Sequence, residues 1–156
     1  MTTVITESRQ DLLSALDALD TRLRWLSSWT VHNANHLREK RDGMKVGDGV
    51  MFYHSNTKVP GIVGLATVAS EAYPDDTQFD PRSDYYDPKA TREEPRWMLV
   101  DVAFERKLRD TISLDEIKLH ADALGEGFPL TARGNRLSIL PVTAAQWKLL
   151  LSLEKH

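Results

Sequence analysis

The chain has 156 residues, of which 41% are hydrophobic and 28% are charged, a composition typical of one globular domain with one core. It contains no cysteine, which excludes disulfides, thiolate nucleophiles and thiolate-bound metal clusters. The net charge of −3 argues against a protein that holds a long duplex through many phosphates, because that task requires a dense basic surface.

The N-terminal segment, residues 1–42, gives weaker structural signals than the rest of the chain. Its start lacks the pattern of a signal peptide, and no apolar run in the sequence approaches the roughly 20 residues that cross a bilayer, so we expect a cytoplasmic protein with no membrane partner. Residues 8–19 place leucines at helical spacing opposite aspartates, which predicts an amphipathic helix. Residues 22–42 show no sustained period and are interpreted as irregular or weakly helical.

From Gly43 the pattern changes to that of β-strands. A Gly-Asp-Gly turn precedes residues 50–54, an alternating run of β-branched and aromatic residues that predicts a strand. Residues 62–73 are rich in β-formers and contain Gly64, which predicts a long, bent or bulged strand that pairs with the first as a hairpin. Residues 74–96 hold four of the seven prolines and many aspartates, so they are predicted to form a long loop.

The C-terminal part continues with two strands and two helices. Residues 97–108 alternate in hydrophobicity and predict a strand with one apolar face. A capping box predicts a short helix over residues 114–120, and a second one predicts a final helix over residues 144–153. Between these helices, residues 136–140 predict a short strand that Pro141 ends. The sum is a mixed α+β domain whose separated strands suggest a small barrel.

Five segments in this order carry a resemblance to a known family: residues 44–81, 83–90, 95–108, 112–118 and 136–147. They resemble the EVE family of the PUA-like superfamily, which also contains YTH and ASCH domains. The resemblance implies that residues 43–156 form a PUA-like α+β domain, a closed or nearly closed barrel of five to six strands with short peripheral helices. It also implies a pocket at one end of the barrel that accepts a flipped-out base.

The function implied by the resemblance is binding without catalysis. Relatives of this type are associated with modified bases, such as modified cytosine in DNA or methylated adenine in RNA, so the expected partner is a modified nucleobase in DNA or RNA, and no cofactor is expected. Two alternatives stay open. One is a small hydrolase that acts on a nucleoside or an amide, and the other is an interaction module that binds a protein partner, or a second copy of the chain, without a small ligand.

The N-terminal segment departs from the family pattern. Family members open with a strand and a Ser-Glu-Pro motif, followed by a tryptophan-containing segment that helps to line the pocket, and neither motif is intact in this sequence. A missing first strand would leave its neighbours in the barrel with unpaired edge groups. We therefore expect either that residues 1–40 replace this strand in a different way or that binding is impaired.

The predicted base-binding pocket contains seven residues, and two more form its rim. Tyr53 and Trp97 offer flat faces for stacking on a base. Arg136 offers a guanidinium group for a phosphate or a carbonyl edge. The pocket residues are Phe52, Tyr53, His54, Ser55, Trp97, Arg136 and Ser138, and the rim residues are Tyr85 and Tyr86.

Each candidate also has an ordinary structural interpretation. A histidine at a strand end, such as His54, is often satisfied by the backbone, and an aromatic residue in a strand is often a core residue. The loop tyrosines would equally serve as anchors of the loop. Nothing in the sequence points to a metal site, because His32 and His36 are spaced as on one helix face but lack a third ligand. The paired loop carboxylates, Asp75-Asp76, Asp84 with Asp87, and Glu93-Glu94, are interpreted as solvated turns.

Overall fold

A computed structural model describes residues 2–7, 28–33, 44–55, 57–96, 98–132 and 139–155, with only the backbone described for 2–7, 28–33 and 139. Within these ranges the strands are β1 (Thr2–Glu7), β2 (Ser28–Asn33), β3 (Gly49–His54), β4 (Gly61–Val68), β5 (Tyr73–Pro74), β6 (Met98–Ser113) and β7 (Ile139–Val142). The helices are a 3₁₀ helix (Asp76–Phe79), α1 (Leu114–Leu119), α2 (Ala121–Leu124) and α3 (Ala144–Ser152). The mixed α+β class predicted from the sequence is confirmed.

The strands form one mostly antiparallel sheet. Their order is β2-β6-β4-β3-β1-β7, and the short strand β5 also pairs with β6. The pairing of β1 with β3 is parallel, whereas the other pairings are antiparallel. Among the described residues no pairing joins β2 to β7, so the closure of the predicted barrel stays a prediction.

The N-terminal segment supplies two strands that the sequence interpretation missed. Ile5 of β1 lies opposite Phe52 of β3 and opposite Ile139 of β7, so the expectation of a missing first strand is wrong. Val31 of β2 lies opposite Val100 of β6, so the irregular interpretation is wrong for residues 28–33. Threonine, valine and isoleucine favour strands, and long-range pairing decides the outcome for such short runs. The predicted helix over residues 8–19 lies outside the described residues.

The predicted hairpin of β3 and β4 is confirmed, and so is its irregularity. The register of the pair shifts between Phe52 and Tyr53, where the opposite residue changes from Gly64 to Ile62 and leaves Val63 as the additional residue. Such a bulge bends a strand. The boundaries of the neighbouring strands differ from the prediction, because β4 ends at Val68 instead of continuing to residue 73, and β6 continues beyond residue 108 to Ser113.

Both faces of the central strands are buried, because alternate residues of a strand point to opposite faces. On one face, Met51, Ile62 and Leu150 are fully buried in a cluster that includes the three α-helices' apolar residues. On the other face, Phe52 and Val100 belong to a second cluster. Burying one such side chain stabilises the fold by about 1.5–3 kcal/mol. The two clusters explain why β3 reads as an almost continuous hydrophobic run.

The ends of the helices follow the predicted capping pattern. The Ser113 hydroxyl accepts a hydrogen bond from the Glu116 N–H at the start of α1, at 3.2 Å. Thr143 and Gln146 form a complete capping box at the start of α3. The prediction that Pro141 ends a strand is wrong, because Pro141 lies within β7 opposite Thr3 of β1. Proline is tolerated there because, among the described strands, β7 has a partner on one side only.

A bidentate ion pair joins the C-terminal end of α3 to β6. The Arg106 guanidinium donates from Nη1 and Nη2 to the two carboxylate oxygens of Glu154, at 2.8 and 2.7 Å. The Arg109 backbone N–H donates to the same carboxylate at 3.0 Å. These donors, the Arg106 side chain first, lower the pKa of Glu154 to about 2. The carboxylate is therefore stabilised in its charged form at neutral pH.

This ion pair predicts acid sensitivity. Because the pKa of Glu154 is lowered in the folded state, its contribution to stability is present above the unfolded pKa and is lost as the pH falls through the folded pKa, from about 4.5 to about 2. Glu154→Gln should lower the free energy of unfolding by about 1 kcal/mol at pH 7. In urea unfolding at a series of pH values, the difference from the wild type should shrink towards pH 2. Glu126→Gln serves as an exposed control, and a Glu154→Gln curve parallel to the wild type between pH 7 and pH 3 would contradict the argument.

Candidate nucleic-acid interface

At the C-terminal end of β3, three of the predicted pocket residues lie on two different faces of the sheet. Phe52 is 2% exposed and packs with Val50 in the second core cluster, whereas Tyr53 is 5% exposed and packs in the helix-side cluster. Strand alternation places His54 on the face of Phe52. Phe52 and His54 therefore lie on one face of the sheet, and a pocket on that face would not include Tyr53.

The surroundings of Tyr53 support its interpretation as a core residue. Burial, and secondarily the negative charge of Asp115, raise the pKa of the Tyr53 phenol above its ordinary value. Both effects disfavour the phenolate, so the ring stays neutral over the physiological range. The phenol lies on the side of the sheet that the helices cover.

Four strands lie side by side at the end of β3. Glu7, His54, Gly61 and Ser113 lie in neighbouring positions across β1, β3, β4 and β6. The His54 side chain is 3% exposed, whereas Ser55, the next residue, is exposed. This end of the sheet thus carries a buried imidazole, followed in the chain by an exposed hydroxyl group that can form hydrogen bonds to a ligand.

The long loop begins and ends at the end of the sheet that is opposite to His54. Pro74 pairs with Met98 at the start of β6, and Val68, at the end of β4, pairs with Val102. The rim residues Tyr85 and Tyr86 lie in this loop and are 41% and 42% exposed. The first and last residues of this loop therefore lie far along the sheet from His54. Trp97, Arg136, Ser138 and His36 lie outside the described residues, as does the side chain of His32.

A buried glutamine organises this loop, and the sequence interpretation missed it. The Gln78 side chain is 0% exposed; its amide N–H donates to the Asp75 carbonyl at 2.6 Å, and its amide oxygen accepts from the Arg96 N–H at 2.7 Å. The Gln78 carbonyl accepts from the Asp87 N–H at 3.0 Å. Residues 75, 78, 87 and 96 are thus tied together. The signal available in the sequence was Asp75 two residues before Thr77, an N-cap pattern.

The loop carboxylates are more structured than the predicted solvated turns. Asp75 is 2% exposed, and its Oδ1 accepts from the Thr77 N–H and hydroxyl at 2.9 and 2.6 Å, so the prediction is wrong for this residue. Asp87 forms an ion pair with Arg96, with 3.2 Å between Oδ2 and Nε. An N-cap and a half-buried ion pair fix the backbone where solvated turns would leave it loose.

The remaining loop arginines are also paired locally. Arg82 donates from Nε to Asp80 at 3.1 Å, and this contact lowers the pKa of the Asp80 carboxyl. Arg92 lies 5.0 Å from the Phe79 ring centroid and 3.4 Å from Asp76. Each of these guanidinium groups therefore has an aspartate beside it, which reduces the positive potential that the loop offers to a polyanion.

Within the described ranges, no three or more histidine, aspartate or glutamate residues form a group that could hold a metal ion. No helix of the described part of the chain is long and apolar enough to cross a membrane.

The mixed sheet, its bulged central hairpin and its short peripheral helices define a PUA-like domain, the fold shared with the solved EVE domains of human thymocyte nuclear protein 1. The model of the family "EVE domain" matches residues 16–153. The chain belongs to the EVE domain family, as its resemblance to that family predicted.

Three relatives illustrate the similarity. Rat thymocyte nuclear protein 1 is 44% identical over 117 residues, which cover 72% of this chain and 52% of the rat protein. A crystal structure of a Pseudomonas putida protein has a TM-score of 0.81 and 32% identity, covering 99% of this chain and 100% of that one. The human THYN1 protein, crystallised in complex with 5-methylcytosine-containing DNA, has a TM-score of 0.74 and 33% identity, covering 99% of this chain and 98% of that one. The chain spans between about half and two thirds of the length of the rat, mouse and chicken proteins that it matches.

Proposed function

We propose that this EVE domain binds DNA that carries a modified cytosine, without catalysing a reaction. The observation that supports the proposal is the similarity, over 99% of the chain, to the human protein crystallised with 5-methylcytosine-containing DNA. The described residues are consistent with such a role, because Ser55 exposes a hydroxyl group directly after the buried His54 at the end of β3.

The charge of the chain limits how the DNA is held. The net charge of −3 and the local pairing of Arg82, Arg92 and Arg96 leave the long loop with little positive charge for a phosphate clamp. We therefore expect selectivity to come mainly from contacts to one base. A base turned out of the stack is recognised by stacking and by hydrogen bonds to its edge. An additional methyl group that fills a fitted cavity contributes about 1–3 kcal/mol of discrimination.

The first test is a fluorescence-anisotropy titration with short duplexes that differ at one central cytosine. The cytosine is unmodified, methylated or hydroxymethylated, and a single-stranded RNA with methylated adenine is the competing ligand. We expect the dissociation constant for the methylated duplex to be about tenfold lower than that for the unmodified one. Equal dissociation constants for the three duplexes would contradict the proposal, and preference for the RNA would redirect it to a different nucleic acid.

A variant at the end of β3 tests whether His54 takes part. His54→Gln keeps a polar side chain in the buried position and should reduce the preference for methylated over unmodified duplex, since the imidazole would no longer contact the base edge. Leu119→Ser is the matched control, because Leu119 is 83% exposed on α1. An unchanged preference in His54→Gln, with an unchanged thermal unfolding midpoint, would remove His54 from the binding site.

A further inference from the structure

Exposed aromatic side chains are concentrated where the chain leaves the sheet after β4. Among the described residues, the large hydrophobic side chains that are exposed include three tyrosines, Tyr73, Tyr85 and Tyr86, which are 37%, 41% and 42% exposed. All three lie between β4 and β6. More than half of the surface of each tyrosine is therefore covered, while the remainder faces solvent.

The loop that carries Tyr85 and Tyr86 is held in one shape. The hydrogen bonds of Gln78 tie it at residues 75, 87 and 96, so residues 78–87 form a closed sub-loop. Within this sub-loop the Tyr85 N–H donates to the Ser83 hydroxyl and the Tyr86 N–H donates to the Ser83 carbonyl, both at 3.1 Å. Binding through these rings would require little further ordering of the backbone, which favours affinity.

The charges next to these rings limit which part of a nucleic acid they can contact. Arg82 is paired with Asp80, and Arg96 is paired with Asp87. Asp84, beside Tyr85, is exposed. A phosphate would meet carboxylates at this surface and would be repelled. An uncharged base face would not, and bases stack on tyrosine rings irrespective of their sequence.

We propose that Tyr85 and Tyr86 form a stacking surface for unpaired bases of a DNA strand. This inference rests on the proposed function and adds a second contact, in the long loop between β5 and β6. Turning a base out of a duplex leaves neighbouring bases unstacked, and an aromatic surface held in place stabilises such a strand. The contact depends little on sequence, because every base offers a face for stacking.

The test uses the whole chain and a fluorescent single-stranded oligothymidine, which contains no cytosine. The double variant Tyr85→Ala/Tyr86→Ala should bind this probe at least tenfold more weakly than the wild type. Tyr85→Phe/Tyr86→Phe keeps both rings and should remain within about twofold of the wild type, as should the control Leu119→Ser. The slope of log Kd against log salt should be the same for all four proteins.

The outcomes separate this inference from the proposed function. If the alanine variant binds oligothymidine as the wild type does, or if the wild type does not bind it, the stacking surface is overturned. A smaller salt slope in the alanine variant would also overturn it, because the loop would then act on phosphates. If the alanine variant loses affinity for oligothymidine while the wild type shows no preference for methylated duplex, the stacking surface stands and the selectivity for modified cytosine fails.

Discussion

Gly61→Ala should destabilise the fold by about 2–4 kcal/mol, the cost expected when an added carbon has no space in a packed sheet. A Cβ built at Gly61 would lie 2.3 Å from the Ile112 carbonyl oxygen and 2.7 Å from the Thr111 Cγ2. The carbonyl belongs to the backbone of β6, opposite β4, so relief requires the two strands to move apart. For a chain of this size, we expect the thermal unfolding midpoint to fall by roughly 5–15 °C.

Gly64→Ala is the matched control in the same strand. At Gly64 the nearest atom to an added Cβ is the Arg106 carbonyl oxygen at 3.2 Å, a contact that a small adjustment relieves. Alanine also restricts the unfolded chain, which stabilises a protein by about 0.4–1 kcal/mol where the native backbone tolerates it. The two effects nearly cancel, so Gly64→Ala should change stability by less than about 1 kcal/mol. Equal losses at the two glycines, measured by urea unfolding, would show that the close approach at Gly61 is not the cause.

The local signals in the sequence predicted the central hairpin well. The alternation of residues 50–54 and the position of Gly64 contain enough information to predict two paired strands and a bulge, because strand period and turn chemistry are local properties. The caps of α1 and α3 are local in the same way. Each of these features could be predicted because the residues that cause it lie within a few positions of one another.

The strands at the N-terminus were missed for the opposite reason. Thr2–Glu7 is rich in β-branched residues, which favour strands. The leucines that follow favour a helix, and they dominate the pattern of the N-terminal segment as a whole. The parallel register of β1 with β3 and the pairing of β1 with β7 join parts of the chain that lie far apart in sequence. No single-sequence pattern encodes such a register, so propensity alone does not predict it.

The candidate site could be predicted only in part. The strand predicted over residues 50–54 places His54 at the end of β3, as the structure does, but the prediction did not assign Tyr53 and its neighbours to different faces. The role of His54 and Ser55 in binding stays a prediction. The long loop was predicted as a loop because of its prolines, whereas its internal order depends on hydrogen bonds of Gln78 to residues on both sides. Those bonds are tertiary contacts, and a glutamine in a polar loop gives no sign of being buried.

The second large effect is expected at Gln78, where Gln78→Met should raise the rate of tryptic cleavage within residues 80–95 by roughly 30-fold or more. Methionine keeps much of the volume of the side chain but removes its two amide hydrogen bonds. The Arg96 N–H then loses its acceptor, whereas the Asp75 carbonyl keeps the hydrogen bond from the backbone N–H of residue 78. Leaving a polar group unsatisfied costs about 1–3 kcal/mol and losing one further hydrogen bond about 0.5–1.5 kcal/mol, so local opening of the loop becomes correspondingly easier. Arg82 and Arg92 are exposed and provide cleavage sites for trypsin.

Gln146→Met is the matched control for this experiment, because Gln146 also forms side-chain hydrogen bonds, to the Thr143 N–H and the Leu124 carbonyl. It should lower the free energy of unfolding by about 1 kcal/mol through loss of the cap, without changing cleavage in the loop beyond what that global loss explains. Cleavage of Gln78→Met at the wild-type rate would mean that the ion pair of Arg96 with Asp87 is sufficient to hold the loop. Faster cleavage at unchanged global stability would show that the buried amide of Gln78 governs the loop alone. The fixed shape of the loop that carries the stacking surface, Tyr85 and Tyr86, would then depend on one side chain.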